Sequence, residues 1–166
     1  MTAQKNNFKN EVVAVIHDIR SLHNVGSIFR TADGAGLRKI YLCGITPEPT
    51  DRFGRPRPQL TKVSLGAEKA VAWEKCASTS KLIDRLKKDG YKIFTIEQSK
   101  KSIPYYKTAI TRDSRVALVL GSETKGLSQS ILKKADKILE IPMRGKKESL
   151  NVAVAFGVIV FHLLYQ

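Results

Sequence analysis

The feature that most constrains the fold is the C-terminal stretch of residues 138–166, ILEIPMRGKKESLNVAVAFGVIVFHLLYQ. Residues 137–141 alternate apolar and polar side chains, as a β-strand does, and Pro142 then stops the hydrogen-bond ladder. Ser149 is a favoured N-cap residue and predicts the start of a helix. The chain is therefore expected to turn sharply over residues 142–148, and we expect chemistry in this polar loop.

The helix predicted after this loop is almost wholly apolar. Residues 152–161 contain no polar side chain, so this cannot be a surface helix with one wet face. A membrane span needs about 20 apolar residues, and this run is broken by His162 and stops at Tyr165. We therefore expect the helix to be buried in the core and in a subunit interface.

The charge of the chain indicates a polyanionic partner. The 166 residues suit a single domain, residues 1–166, and 29 Lys and Arg against 15 Asp and Glu give a net charge of +14. This balance favours RNA, DNA or an anionic membrane as partner, and a solvated basic surface is the alternative.

Residues 1–10 are polar and lack the apolar centre of a signal peptide, which predicts a flexible terminus and a cytoplasmic protein.

The cysteines and histidines give no sign of a metal centre. Cys43 and Cys76 lie in no CxxC spacing, and we interpret both as small buried residues. His17, His23 and His162 show no ligand spacing. The sequence therefore predicts neither a disulfide framework nor a metal site.

The apolar runs predict an α/β fold, a mostly parallel sheet flanked by helices. Residues 11–17 contain the run VVAVI, typical of a strand covered on both faces. Asn24 is a candidate cap for the helix that follows, and Gly34 and Gly36 end that helix. Residues 39–43, KIYLC, form the next strand and complete a β-α-β unit. Further strands are predicted at residues 91–96 and 116–120.

Residues 44–60, GITPEPTDRFGRPRPQL, predict an exposed basic loop. The segment holds four of the six prolines and has no helical or strand period. It is longer than most connections, and long ordered loops are often functional. Two interpretations stay open: a mere connector, or a loop that grips RNA through Arg52, Arg55 and Arg57.

Two common nucleotide-binding motifs fail at single positions. In GSETKGL, Leu127 stands where a phosphate-binding loop requires lysine, which disfavours ATP hydrolysis. Gly34 and Gly36 lack the third glycine of the dinucleotide fingerprint. Neither motif therefore assigns a function.

Three polar junctions follow predicted strands and are expected to converge. They are HNVGSIFRTADGAG, LGSETKGL and IPMRGKKESLN. The carboxyl ends of parallel strands lie along one edge of a sheet, where ligands bind. The junctions would bring together polar side chains suited to charge, namely Arg30, Glu123, Ser149 and Asn151.

These junctions resemble the three motifs of the SpoU/TrmH family of SPOUT RNA methyltransferases. The matching elements are N-x-G-S-x-x-R-x-A-x-x-x-G at residues 24–36, then LGSETKGL, then IPM with SLNVAVA. The resemblance covers residues 12–166. It implies a C-terminal trefoil knot, a homodimer, S-adenosylmethionine as methyl donor, and a ribose 2'-hydroxyl of tRNA or rRNA as acceptor.

The resemblance also implies roles for individual residues. The motif arginine matches Arg30, and a guanidinium with a pKa above about 12 is a poor base. We therefore expect Arg30 to fix a phosphate and stabilise the oxyanion, and its place near a predicted helix start suits an anion. The other catalytic candidates are Asn24, Glu123, Ser149 and Asn151, and the cofactor-binding candidates are Ile96, Gly121, Ile141 and Leu150.

Other roles stay open at this point. Glu123 is a candidate to orient Arg30 or to hold a hydroxyl, and helix capping alone is the alternative role for Ser149. A non-catalytic RNA-binding or assembly factor that retains the fold is the alternative function. A base methyltransferase of the same superfamily is a third possibility, which the SLN motif disfavours.

Overall fold

The computed structural model describes residues 10–165. The predicted flexibility of residues 1–10 therefore falls outside the described part, apart from Asn10. The Asn10 Oδ1 accepts a hydrogen bond from the Ser114 backbone N–H at 3.1 Å. This contact fixes the chain at the entrance to the first strand.

A seven-stranded sheet forms the centre of the molecule, and every strand pair in it is parallel. The strand order is β3-β2-β1-β6-β4-β7-β5. The strands are β1 Glu11–His17, β2 Lys39–Cys43, β3 Ala72–Cys76, β4 Lys92–Ile96, β5 Ile103–Pro104, β6 Arg115–Leu120 and β7 Lys137–Glu140. The predicted α/β fold with a parallel sheet is confirmed.

Helices cover both faces of the sheet because the central strands are apolar on both sides. Val12, Ala14 and Ile16 of β1 pack into the same cluster as the first and last helices, whereas Val13 and Val15 pack with the fourth and fifth. The helices are α1 Leu22–Ala35, α2 Pro58–Ser64, α3 Ala67–Ala70, α4 Thr79–Lys88, α5 Gln129–Leu132 and α6 Val152–Leu164, with a 3₁₀ turn at Tyr105–Lys107.

Both predicted helix caps are wrong by two or three residues. Helix α1 is capped by Ser21, whose Oγ accepts from the Asn24 N–H at 3.2 Å, so Asn24 lies inside the first turn. Helix α6 is capped by Asn151, whose Oδ1 accepts from the Ala153 N–H at 2.9 Å. Ser149 therefore stays in the loop. Residue type alone does not choose between neighbouring residues that cap equally well.

The last helix is buried on most sides, as predicted, but one side faces solvent. Phe156, Ile159 and Val160 are fully buried, whereas Val154 and Phe161 are 51% and 41% exposed. Helix α6 packs against α1. Within residues 10–165, no helix has the length and apolar character needed to cross a membrane.

The two cysteines differ in burial. Cys43 is buried as predicted, and burial raises the pKa of its thiol to about 12. Cys76 is only half-buried, which corrects the prediction, and burial raises the pKa of its thiol as well. Both groups are therefore neutral thiols at physiological pH and poor nucleophiles.

Candidate active site

A chain of side-chain hydrogen bonds joins the three polar junctions. The Asn24 Nδ2 donates to Glu123 Oε1 at 2.7 Å, and the Asn151 Nδ2 donates to Asn24 Oδ1 at 3.0 Å. Asn24 comes from the first turn of α1, Glu123 from the loop after β6, and Asn151 from the cap of α6. The predicted convergence of the junctions is therefore seen in the structure, with Asn24 in the middle.

The orientation of both amides in this chain is fixed by their neighbours. A carboxylate such as Glu123 only accepts, so the Asn24 amide nitrogen must face it. The backbone N–H of Ala153 only donates, so the oxygen of Asn151 must face α6 and its nitrogen must face Asn24. Asn24 therefore has one possible hydrogen-bonding arrangement and acts as a rigid link.

A cavity of about 1100 Å³ opens beside this link, at the carboxyl ends of β4, β6 and β7. This volume is slightly above the range of about 300–1,000 Å³ that is typical of small-molecule and cofactor sites. The four residues predicted to bind the cofactor all line it, and so do three of the predicted catalytic residues. The first set is Ile96, Gly121, Ile141 and Leu150; the second is Glu123, Ser149 and Asn151.

The backbone around the cavity is unusually close-packed at Gly121. A Cβ atom at this position would lie 2.7 Å from the Gly126 carbonyl carbon and 2.8 Å from Leu127 Cγ. Gly126 has φ +62°, in the left-handed region, and its N–H donates to the Ser122 carbonyl at 2.8 Å. The loop of residues 121–127 is thus folded back on the end of β6, which only glycine permits.

Two residues that the sequence analysis missed hold the walls of this cavity. The Glu97 Oε2 accepts from the Leu127 N–H at 2.9 Å, and the Gln98 Nε2 donates to the Glu148 carbonyl at 2.5 Å. The dipeptide follows β4 and so braces the loops after both neighbouring strands. The sequence could have indicated Glu97 and Gln98 by their position, because they directly follow the end of a strand, as the three motifs do.

Arg30 lies outside the group of residues that line the cavity. It is exposed in the middle of α1, because the helix begins at Leu22, and the expectation that it lies near a helix start is wrong. The N-terminal end of the helix dipole therefore contributes little to its affinity for anions, which must come from its own charge. Within residues 10–165 its guanidinium forms no hydrogen bond or ion pair, and Glu123 pairs with Asn24 instead.

The predicted RNA-binding arginines lie together on the loop between β2 and α2. Arg52 and Arg55 are exposed, whereas Arg57 is half-buried and donates from Nε to the Thr50 carbonyl at 3.2 Å. The predicted exposed loop of residues 44–60 is exposed only in part. Thr46 is fully buried, and α2 begins at Pro58.

Carboxylates and lysines both line the cavity. Glu97, Glu123, Glu140 and Glu148 are matched by Lys100, Lys101, Lys125 and Lys133. Within the described residues, 10–165, no group of three or more His, Cys, Asp or Glu side chains is arranged to hold a metal ion. The chemical groups that line this site are polar and charged side chains together with backbone groups.

Comparison with known proteins assigns the chain to a family. Residues 11–161 match the SpoU rRNA Methylase family. The chain belongs to this family. Two relatives are each 30% identical over 155 residues, and each match covers 93% of this chain. They are the 23S rRNA (guanosine-2'-O-)-methyltransferase RlmB of Coxiella burnetii and a tRNA (guanosine(18)-2'-O)-methyltransferase of Borreliella burgdorferi.

A solved rRNA methyltransferase structure has the same fold. The AdoMet-bound rRNA methyltransferase from Sinorhizobium meliloti superposes with a TM-score of 0.79 and 28% identity over 92% of this chain. The match covers 55% of that chain, against 58% and 66% of the two relatives. This member of the SpoU family therefore spans less than two thirds of each of these proteins.

Proposed function

We propose that this chain transfers a methyl group from S-adenosylmethionine to a ribose 2'-hydroxyl of tRNA or rRNA. The observation that carries the proposal is the hydrogen-bonded link Glu123–Asn24–Asn151 beside a cofactor-sized cavity. It unites the three family motifs at one sheet edge. The names of the two relatives, both 2'-O-methyltransferases, support the same reaction.

The cavity fits S-adenosylmethionine in chemistry as well as in size. Ile96, Ile141 and Leu150 supply apolar surface for an adenine ring, and the backbone groups exposed in the neighbouring loops supply donors and acceptors for its edge. The cavity wall carries carboxylates, among them Glu97 and Glu123, as well as lysines, and so offers partners for both the cationic and the anionic groups of the cofactor. When bound, this cofactor supplies a methyl group on a positively charged sulfur. The neutral thioether that remains after transfer is a good leaving group.

The protein side chains would then position the ribose and handle the charge. Arg30 binds the phosphate next to the reacting ribose and stabilises the oxygen as it becomes negative, since its guanidinium is positively charged and has no hydrogen bond or ion pair within residues 10–165. A guanidinium is a poor base, so phosphate or water takes the proton. Asn24 is a positioning residue, because its amide bonds to Glu123 at one end and to Asn151 at the other.

Ser149 and the loop arginines complete the proposed substrate contacts. Ser149 is exposed on the cavity wall and offers a hydroxyl to the reacting centre. Arg52, Arg55 and Arg57 would contact RNA phosphates, an interaction supported by the net charge of +14. Because the proposed substrate is RNA, we propose that the protein acts in the cytoplasm.

We infer a trefoil knot from the family resemblance and the path of the chain. Strand β7 lies between β4 and β5, yet the next helix, α6, packs on α1 and contacts β6. The segment between β7 and α6 therefore crosses the carboxyl edge of the sheet. It passes the loop of residues 121–127, through which a knotted chain would be threaded.

We also propose a homodimer that buries the exposed side of α6. Phe161 and Tyr165 are 41% and 50% exposed, and their rings stack with centroids 5.7 Å apart. Val154, on the same helix, is 51% exposed. An apolar surface of this kind on a terminal helix is typical of a subunit interface.

Phe161→Glu is expected to give monomer or aggregate in sedimentation velocity, because a charge in an apolar interface is left unpaired. Leu65→Glu is the matched control, since Leu65 is 66% exposed and lies on the turn between α2 and α3. The control should stay dimeric. A Phe161→Glu protein that remains a fully active dimer would place the interface elsewhere.

The reaction is tested by incubating the purified chain with total tRNA or total rRNA and S-adenosylmethionine labelled in its methyl group. We expect label in RNA, and after digestion mass spectrometry should find it as a 2'-O-methylated nucleoside. Label on a base would indicate a base methyltransferase. Calorimetry without cofactor binding, together with RNA binding and no label, would indicate the assembly factor.

A further inference from the structure

The loop between β2 and α2 carries an exposed aromatic ring between two arginines. Phe53 is 65% exposed, although phenylalanine is normally buried. The guanidinium carbon of Arg52 lies 4.7 Å from the ring centroid, and that of Arg55 lies 5.4 Å from it. These distances are within the range of cation–π contacts. The three side chains thus form one exposed group of π and cationic planes.

The turn that presents this group is held rigidly by Asp51. The Asp51 Oδ1 accepts from the backbone N–H groups of Phe53 at 2.8 Å and Arg55 at 3.0 Å. The Asp51 N–H donates to the Arg55 carbonyl at 2.8 Å, and Gly54 adopts φ +76° to close the turn. Phe53 is therefore held in solvent by a closed, hydrogen-bonded turn.

Both ends of the loop are fixed to the elements that form the candidate active site. At its start, the buried Thr46 donates from Oγ1 to the Ile16 carbonyl at 3.0 Å, at the carboxyl end of β1. At its end, α2 packs on α1 so closely that a Cβ on Gly26 would lie 2.6 Å from the Leu60 carbonyl oxygen. The loop is thus anchored to the helix that carries Asn24 and Arg30.

We propose that Phe53, with Arg52 and Arg55, is a stacking platform for an unpaired nucleobase of the RNA substrate. The proposal rests on the proposed function and adds a residue and a preferred form of RNA to it. Every base has a π face that stacks on an aromatic ring or a guanidinium plane, so such a site tolerates any sequence. The same arginines attract the neighbouring phosphates.

The charge around the ring favours RNA over a second copy of this chain as its partner. Two arginines contact the ring, so two such loops facing each other would repel. Bases paired inside a duplex hide their faces. The platform therefore selects single-stranded or loop segments of RNA.

The test uses the full chain and a short oligoribonucleotide that carries one 2-aminopurine, either alone or annealed to its complement. Wild-type protein should bind the single strand more tightly than the duplex and quench the 2-aminopurine fluorescence. Phe53→Leu keeps an apolar side chain but removes the ring, and should weaken single-strand binding about tenfold and abolish the quenching. Phe53→Tyr should retain both, and Leu65→Ala, at an equally exposed apolar residue, should match wild type.

Salt dependence separates stacking from phosphate contact. Phe53→Leu should leave the slope of log affinity against log salt unchanged, whereas Arg52→Ala with Arg55→Ala should flatten it, since only the arginines release counterions. A Phe53→Leu protein that binds the single strand as wild type does overturns this inference alone. Wild-type protein that binds no RNA overturns the proposed function as well, and loss of the dimer in Phe53→Leu would reassign the ring to a subunit contact.

Discussion

Arg30→Ala is expected to reduce turnover on the RNA substrate by about a hundredfold or more, the usual cost of losing one charge-stabilising donor. Arg30 is exposed and has no hydrogen bond or ion pair within residues 10–165, so the folded protein does not depend on it. It also lies outside the group of residues that line the cavity. The melting temperature and the dissociation constant of S-adenosylmethionine should therefore stay as in wild type, and single-turnover kinetics should show the loss.

Two further variants make this prediction specific. Arg112→Ala removes another exposed arginine and should leave turnover unchanged. Arg112 lies just before β6, and the candidate active site lies at the other end of that strand. Arg30→Lys should rescue poorly, because lysine lacks the planar fork that binds phosphate through two bonds. Unfolding of Arg30→Ala would mean that the residue is structural. Normal turnover would move the chemistry to Ser149 and Asn151.

The sequence predicted the central strands well and the two edge strands, β3 and β5, not at all. Strands β1 and β2 have the predicted bounds because their apolar runs are buried on both faces whatever surrounds them. Strand β3, AWEKC, has no such run. It is held by its partners, since Glu74 pairs with Lys39 at 2.7 Å and with Arg85 at 2.8 Å. These hydrogen bonds lower the pKa of Glu74 to about 2.

The location of the candidate site was predictable from the sequence, but the hydrogen bonds between its residues were not. Parallel strands bring their carboxyl ends to one edge, so the meeting of the three motifs follows from the sheet. That Asn24 links Glu123 to Asn151 depends on α1 beginning at Leu22 and on Asn151 capping α6. Neither helix start can be read from residue type, because Ser and Asn cap equally well.

Gly121→Ala is expected to weaken binding of S-adenosylmethionine by roughly ten- to a hundredfold and to lower the melting temperature. The added Cβ would lie 2.7 Å from the Gly126 carbonyl carbon and 2.8 Å from Leu127 Cγ, so the loop of residues 121–127 must move. The loop is also held from outside, because the Glu97 Oε2 accepts a hydrogen bond from the Leu127 N–H at 2.9 Å. Such overpacking typically costs about 1–3 kcal/mol, and here the moved atoms form the cavity wall. Calorimetry measures the loss of affinity.

Gly34→Ala is the control for the effect of a methyl group as such. Gly34 lies in the last turn of α1, where an added Cβ has nothing within 4 Å, so the change should stabilise the protein by about 0.5–1 kcal/mol and leave cofactor affinity unchanged. A Gly121→Ala protein with wild-type cofactor affinity would show that the cofactor does not contact this wall. If affinity falls while Arg30→Ala keeps it intact, cofactor binding and ribose activation belong to different parts of the site. In that case the loop after β6 holds the methyl donor and α1 holds the RNA.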